Sequence, residues 1–243
     1  MLALARGAVQ VLARRGTAMV RAILPPWLVF VLLGLVLHPL LGTGRIELPD
    51  VLLILERDLL PPFLTGMALA LALQGALLHG AWPIAPGSWK LGVALALAIA
   101  VINYGETRAA LALATAAGEA VSPLDGARVP AETGPFQRIL GRVVTSGLLG
   151  DLVLSCLALV LAARWLRRRA VPAVNWPAFI GAWAIVWLIL RAVGELPVEG
   201  WGASVLVALE SGVNSLMVAA VIAAAGWPEH EETRPAITAG RAG

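Results

Sequence analysis

Six runs of predominantly apolar residues, near 24–41, 60–79, 91–117, 143–163, 176–193 and 203–226, dominate the chain. A run of about 18 or more such residues, at ~1.5 Å per helical residue, matches the ~30 Å hydrocarbon core of a bilayer. Lipid offers no hydrogen bonds to an exposed backbone, so such segments cross as helices. The pattern predicts an all-α polytopic membrane protein with five to six transmembrane helices. A chain 59% hydrophobic and 14% charged is far from an ordinary soluble domain. There is no soluble basic domain to carry nucleic acid, so the formal charge of +3 points instead to membrane surfaces.

The basic residues gather in two places. Arg6, Arg14, Arg15 and Arg21 share the first stretch, and Arg164, Arg167, Arg168 and Arg169 follow the fourth apolar run. Such clusters mark cytoplasmic ends near anionic headgroups. In ALARGAVQVLARRGTAMVRAI, the residues Arg6, Gln10, Arg14, Thr17 and Arg21 step by three or four along one helix face, with Val9, Leu12, Val20 and Ile23 on the other. That spacing predicts an amphipathic helix lying in the membrane interface over 1–24. It is expected to be retained rather than cleaved as a signal. Pro25–Pro26 then opens a short apolar stretch that either spans or re-enters, and a transmembrane domain covers 25–227. The residues 228–243 form a polar tail whose composition reads as disordered. Trp82 and Trp89 bracket a Pro/Gly-rich connection as interfacial anchors do, whereas Trp183 and Trp187, four apart, are expected to pack between helices. Cys156 lies in an apolar run and reads as a small core residue.

Topology turns on 24–41. With six spans and the N-terminus inside, the basic residues obey the positive-inside tendency and the long connection 118–138 lies outside. If 24–41 does not cross, that connection is cytoplasmic and the Arg164–Arg169 cluster is outside.

Enzyme chemistry finds little support. The one lysine stands in GSWKLG, so no phosphate-binding P-loop is present, and HExxH and CxxC are absent. His38 and His79 make a bis-histidine haem conceivable, but nothing sets them on facing helices. Asp151 in GLLGDL is a weak echo of an intramembrane aspartyl protease, with the wrong glycine spacing. Ser211 and Ser215 have no neighbouring histidine base. The chain is therefore read as non-enzymatic, with no cofactor and no metal site.

What remains is a set of polar groups in apolar surroundings. VINYGETRAALALATAAGEA places Asn103, Glu106 and Arg108 inside a run of lipid length. Charges at that depth are costly and face a protein interior or water. Asn103 and Glu106 share a face, while Arg108, two residues on, points elsewhere and is expected to meet Asp151 or Glu210 on another helix. Arg191 and Glu195 are four apart and can pair. Glu210 and Asn214 are four apart on the last helix, beside a stripe of Ser211, Ser215 and Ala219 that permits close helix approach. Asn103, Glu106, Arg108, Asp151, Glu210 and Asn214 are the candidate lining of a transport path. The alternative is that these groups only lock helices together, as in a non-catalytic membrane scaffold or assembly factor of a larger complex.

From residue 60 onward the order of segments resembles the MlaE family, permease subunits of bacterial lipid-transporting ABC systems. LPPFLTGMALALALQGA resembles that family's first core helix, and INYGETRAALALATAAG its next, though Tyr104 and Gly105 stand near the family's Gly-Arg pair. LLGDLVLSCLALVLA and VLVALESGVNSLMVAAVIAAAGW resemble later helices, with Gly150 and Asp151 at a common Ala/Phe-Asp pair. GEAVSPLDGARVPAETGPFQR falls at the family's cytoplasmic coupling segment, with Pro130 and Arg138 at its spacing. The resemblance implies a permease of the bacterial inner membrane that moves phospholipid-like molecules between that membrane and the periplasm. It further implies a separate ATPase subunit that binds the ATP and contacts Glu119, Asp125, Arg128, Pro130 and Arg138. A second permease copy, identical or not, and a periplasmic lipid-binding protein complete the implied partners.

Overall fold

A computed structural model describes residues 2–42, 60–78, 82–116, 148–168, 170, 172–194 and 201–227. The protein is an all-helical, multi-pass membrane protein. Its elements are α1 (Leu2–Gly42), α2 (Leu60–Leu78), α3 (Pro86–Ala116), α4 (Leu148–Ala162, continued by a π turn over Ala163–Arg167), α5 (Trp176–Gly194) and α6 (Trp201–Gly226). Among the described residues four stretches are long and apolar enough to cross a bilayer: Leu2–Leu33, Pro86–Glu106, Leu148–Arg167 and Leu209–Gly226. Pro62–Leu78 and Trp176–Ile189 are shorter apolar helices.

The interfacial helix expected over 1–24 and the apolar stretch after it are one helix. α1 runs through Pro25–Pro26 without a break. Two consecutive prolines remove the N–H donors for the carbonyls of Arg21 and Ala22, and in membrane helices such a loss is offset by neighbouring groups. Here the packing holds the helix straight through. Met19, Ala22 and Ile23 are buried just before the prolines, and Trp27 just after them rests on Gly212 of α6. Arg6, Gln10, Arg14, Thr17 and Arg21 lie on the exposed side as their spacing predicts. Val9 and Val20 are exposed too, so the buried face is the narrower stripe of Ala8, Val11, Met19, Ala22 and Ile23.

Contacts fix an up-and-down order. Gly7 of α1 meets Ala224 of α6, while Trp27 meets Gly212. Met19 lies against Gly75 of α2. Gly66 of α2 meets Ala96 of α3, and Gln74 meets Ser88. Gly87 of α3 abuts the Trp165 carbonyl, while Glu106 reaches Gly150 at the start of α4. Each of these neighbouring pairs is antiparallel.

The arrangement gives the bundle two chemically different ends. Arg6, Arg14, Arg15, Lys90, Arg164, Arg167 and Arg168 gather at one, the basic end, together with Trp82, Trp89, Trp165, Trp176 and Trp227. Glu106, Asp151 and Glu210 lie toward the other, the acidic end, with Arg108 beside them.

Several devices order the basic end. α2 stops at Leu78, so its last carbonyls have no donor within the helix; the Arg15 guanidinium donates to the Ala76 carbonyl, a cation at a helix C-terminus. The Gln74 side chain is buried and ties the next connection down. Its Oε1 accepts from the Ala85 N–H at 3.0 Å and the Ser88 hydroxyl at 2.5 Å, and its Nε2 donates to the Pro83 carbonyl at 3.3 Å. Pro86 occupies the first helical position of α3, where a missing N–H costs nothing. Asn175 caps α5, its Oδ1 accepting from the Ala178 N–H at 3.2 Å. At the end of α4 the Arg168 N–H donates to the Ala163 carbonyl with Arg168 in the left-handed region, φ 53°.

A candidate polar site inside the bundle

Toward the acidic end α2, α3, α4, α5 and α6 line a partly open cavity of about 90 Å³. Its polar lining is Thr65 of α2, Asp151 and Ser155 of α4, and Asn214 and Ser215 of α6. Trp183 and Trp187 of α5 close one side, and Leu69, Ile99, Leu154, Val186 and Val218 form the apolar wall. The Trp187 indole N–H donates to Asp151 Oδ2 at 3.2 Å, which orients the carboxylate. Ser155 donates back to the Asp151 main-chain carbonyl at 2.8 Å, the bond a serine makes four residues along a helix. Ser155 and Ser215 are buried. Trp183 and Trp187 stack with centroids 6.4 Å apart and planes 27° apart, between helices as their spacing predicts.

The six residues expected to line a path divide into three groups. Asp151 and Asn214 share the cavity. Glu106 sits beside it in a different role: its Oε1 accepts from the Gly150 N–H at 3.2 Å, in the first turn of α4. A carboxylate there satisfies an orphan donor and meets the positive end of the helix dipole. Glu210 is half-buried, one turn from Asn214. Asn103 and Arg108 are exposed, and Arg108 lies 6.0 Å from the Tyr104 ring centre rather than against Asp151 or Glu210.

Depth explains why three polar residues are tolerated in α3. From Lys90 to Arg108 the helix advances roughly 27 Å, nearly the full ~30 Å hydrocarbon thickness. Asn103, Glu106 and Arg108 therefore sit toward the far rim of the bilayer, where a long cationic side chain reaches headgroups. The cost expected of charges at the bilayer centre does not arise.

Thr65 and Ser155 join the site without having stood out in the sequence, and Trp187, expected to pack between helices, joins it as a hydrogen-bond donor. Ser155 lies one turn from Asp151, the single spacing signal that points to it. Thr65 and Trp187 are isolated in apolar helices, and only the tertiary fold brings them to Asp151. The residues 118–138, with Glu119, Asp125, Arg128, Pro130 and Arg138, lie outside the described residues, as do Glu195, the side chain of Arg191, and the tail 228–243. They connect α3, which ends at Ala116, to α4, which begins at Leu148, and both of those termini are at the acidic end.

The chain matches no family model, no curated protein and no solved structure.

Proposed function

We propose that the protein is a membrane-spanning subunit of a lipid transporter, driven by a separate ATPase and working in the bacterial inner membrane. The observation that supports this reading is the cavity, where three of the five lining helices bring a carboxylate, an amide and three hydroxyls into an apolar bundle. Polar groups that converge within an apolar membrane bundle face the protein interior or water and can line a transport path. At about 90 Å³ the cavity has room for a few waters and not for a lipid. The lipid itself would travel along the outside of the bundle. The exposed Leu97, Val101 and Tyr104 face of α3, rimmed by Asn103 and Arg108, is the surface offered to it and to a second copy.

A second reading has its own support. The connection 118–138 joins helix ends opposite the arginines, and the positive-inside tendency keeps the arginines in the cytoplasm. That would set 118–138 away from any cytoplasmic ATPase and favours a membrane scaffold. Orientation separates the two. In a Cys156→Ala background, cysteines at Ala127 and Lys90 are exposed to a membrane-impermeant thiol reagent in intact cells. The transporter reading expects Ala127→Cys to be protected and Lys90→Cys to be labelled, with an ATPase co-purifying. Labelling at 127 and protection at 90 supports the scaffold.

A further inference from the structure

We propose that the lipid-facing seam between α3 and α4 at the basic end is a site for one anionic phospholipid, its phosphate held between Lys90 and Arg164 and its acyl chains lying along the apolar residues beneath them. The lipid is resident rather than cargo, so the inference suits a transporter and a scaffold alike and does not rest on the transport reading. The two helices touch at this end, where Gly87 abuts the Trp165 carbonyl, and again at the other, where Gly150 meets Ile102 and Glu106. Each turns one flank of that contact inward: Leu91 and Leu95 of α3 and Ala158 and Ala162 of α4 are buried in the main cluster. On the opposite flank the exposed residues run in matching steps. Lys90, Leu97 and Val101 are seven and four apart on α3, and Arg164, Val160 and Val153 are four and seven apart on α4. Residues at such spacings lie on one helix face. Lys90 is three residues in from Gly87 and Arg164 one residue in from Trp165, so their backbones differ in height by roughly 3 Å across the seam.

Charge selects the headgroup. From Lys90 to Glu106 the helix rises roughly 24 Å, and from Asp151 to Arg164 roughly 20 Å, so the acids of these two helices are out of reach. Arg14, Arg15 and Arg167 make contacts of their own within the chain and are left out of the site, while Arg168, exposed beyond Arg164, adds a further cation at its rim. Outside the described residues, 79–81, 169 and 171 hold no acid, and the tail 228–243 sets Glu229, Glu231 and Glu232 against Arg234 and Arg241. The end is therefore cationic with every one of those segments counted. An ammonium and a guanidinium fork are complementary ways to hold phosphate oxygens, and basic pockets between membrane helices take anionic headgroups. A zwitterionic headgroup would bring its own cation against these two. Depth agrees: Lys90 to Val101 and Arg164 to Val153 each cover roughly 16 Å, about half the ~30 Å hydrocarbon core and so the acyl chains of one leaflet. Trp82 and Trp89, exposed at the same end, mark the headgroup level.

The test is native mass spectrometry of the full chain in a non-ionic detergent, given phosphatidylglycerol or phosphatidylcholine with the same acyl chains. Wild type should retain phosphatidylglycerol with a preference of about tenfold or more. Lys90→Gln and Arg164→Gln should each weaken that binding about fivefold, and together abolish the preference. Lys90→Arg should keep it. Leu97→Asn, beneath the phosphate, should weaken both lipids alike. Arg6→Gln removes an exposed cation from α1, which packs on α2 and α6 rather than on the seam, and should change nothing. An equal loss with Arg6→Gln would mean diffuse surface charge and overturns the proposal. So does competition by inorganic phosphate, which would make this a free-anion site. Absence of a preference in wild type overturns it as well; a preference that then appears when Glu229→Gln, Glu231→Gln and Glu232→Gln are combined would give the seam to the tail. Each variant is first shown to be monodisperse, and the wild-type comparison decides by itself where one is not. No ATPase or transport step enters the assay, so its failure is distinct from failure of the transport reading.

Discussion

Where α2 crosses α1 and α3 the backbones come almost into contact; the outer face of α3 is open. A Cβ added to Gly75 would lie 2.8 Å from Met19 Cα and one added to Gly66 2.6 Å from the Ala96 backbone nitrogen, whereas one added to Gly105 meets nothing within 4 Å. Among the described residues the main buried cluster draws on all six helices, with Met19 and Leu73 among its fully buried members. Large apolar residues on the outside of the bundle, among them Val9, Leu97, Val101, Val153, Leu188 and Ile189, are more than half exposed. In lipid such exposure carries no hydrophobic penalty, so association rests on close van der Waals packing and hydrogen bonds. Glycine and alanine supply that packing where the bundle is tight.

The largest effect should come from filling a tight crossing. Gly75→Leu forces α1 and α2 apart at Met19, whose backbone cannot rotate away as a flexible side chain would. Overpacking of this kind costs about 3 kcal/mol. Membrane abundance and the midpoint of thermal unfolding in detergent should both fall sharply. A Gly75→Leu variant as stable as wild type would mean that α1 and α2 are not closely packed at Met19.

Next in size is Arg15→Ala. It removes the charged donor from the Ala76 carbonyl at the C-terminus of α2. A hydrogen bond to a charged group contributes about 2 kcal/mol, and a lower unfolding midpoint should report it. Arg15→Lys should recover part of the loss, since the ammonium keeps the charge but not the guanidinium's geometry.

How legible this was differs between the helices and the site. Apolar run length set the helices and their number, because membrane thickness acts on each run separately. Pro25–Pro26 misled because the usual helix-breaking effect of proline is overridden when neighbours such as Trp27 and Gly212 hold both sides. The site was partly legible. Asp151 and Asn214 stood out as polar residues in apolar helices, and both reach the cavity. Their meeting with Thr65 and Trp187 was not legible, since no spacing along one helix encodes a contact between helices. Asn103, Glu106 and Arg108 were conspicuous for a different reason: they lie near the end of a long helix, where the sequence alone continues apolar to residue 117 and hides the rim.

Glu106 offers a smaller effect that separates charge from hydrogen bonding. Its carboxylate accepts from Gly150 across the α3–α4 contact. Glu106→Ala should cost about 1 kcal/mol, as loss of a capping acceptor does. Glu106→Gln keeps an acceptor oxygen and should cost only a few tenths of that, seen as a small difference in unfolding midpoint. If Glu106→Gln is as damaging as Glu106→Ala, charge at the α4 N-terminus outweighs the bond itself. If neither variant changes stability, the contact between α3 and α4 at this end contributes little.

The smallest effect belongs to Gly105→Ala, and its sign is the point. Gly105 lies in the interior of α3, exposed, one residue from Tyr104 and Glu106, with open space where a Cβ would stand. Glycine in a helix interior is destabilising by roughly 0.5–1 kcal/mol relative to alanine, because the unfolded chain loses more freedom on folding. The substitution should therefore leave the protein unchanged or slightly more stable, with the unfolding midpoint equal or raised. The same Gly→Ala change at Gly75 should lower it. A loss at Gly105 comparable to that at Gly75 would mean that another surface packs closely against this face of α3, as the second copy of the transporter reading would. Repeating Gly105→Ala in detergent and in nanodiscs locates that surface: a loss confined to the membrane indicates a partner or lipid seated against Gly105, whereas a loss in both indicates the chain's own packing.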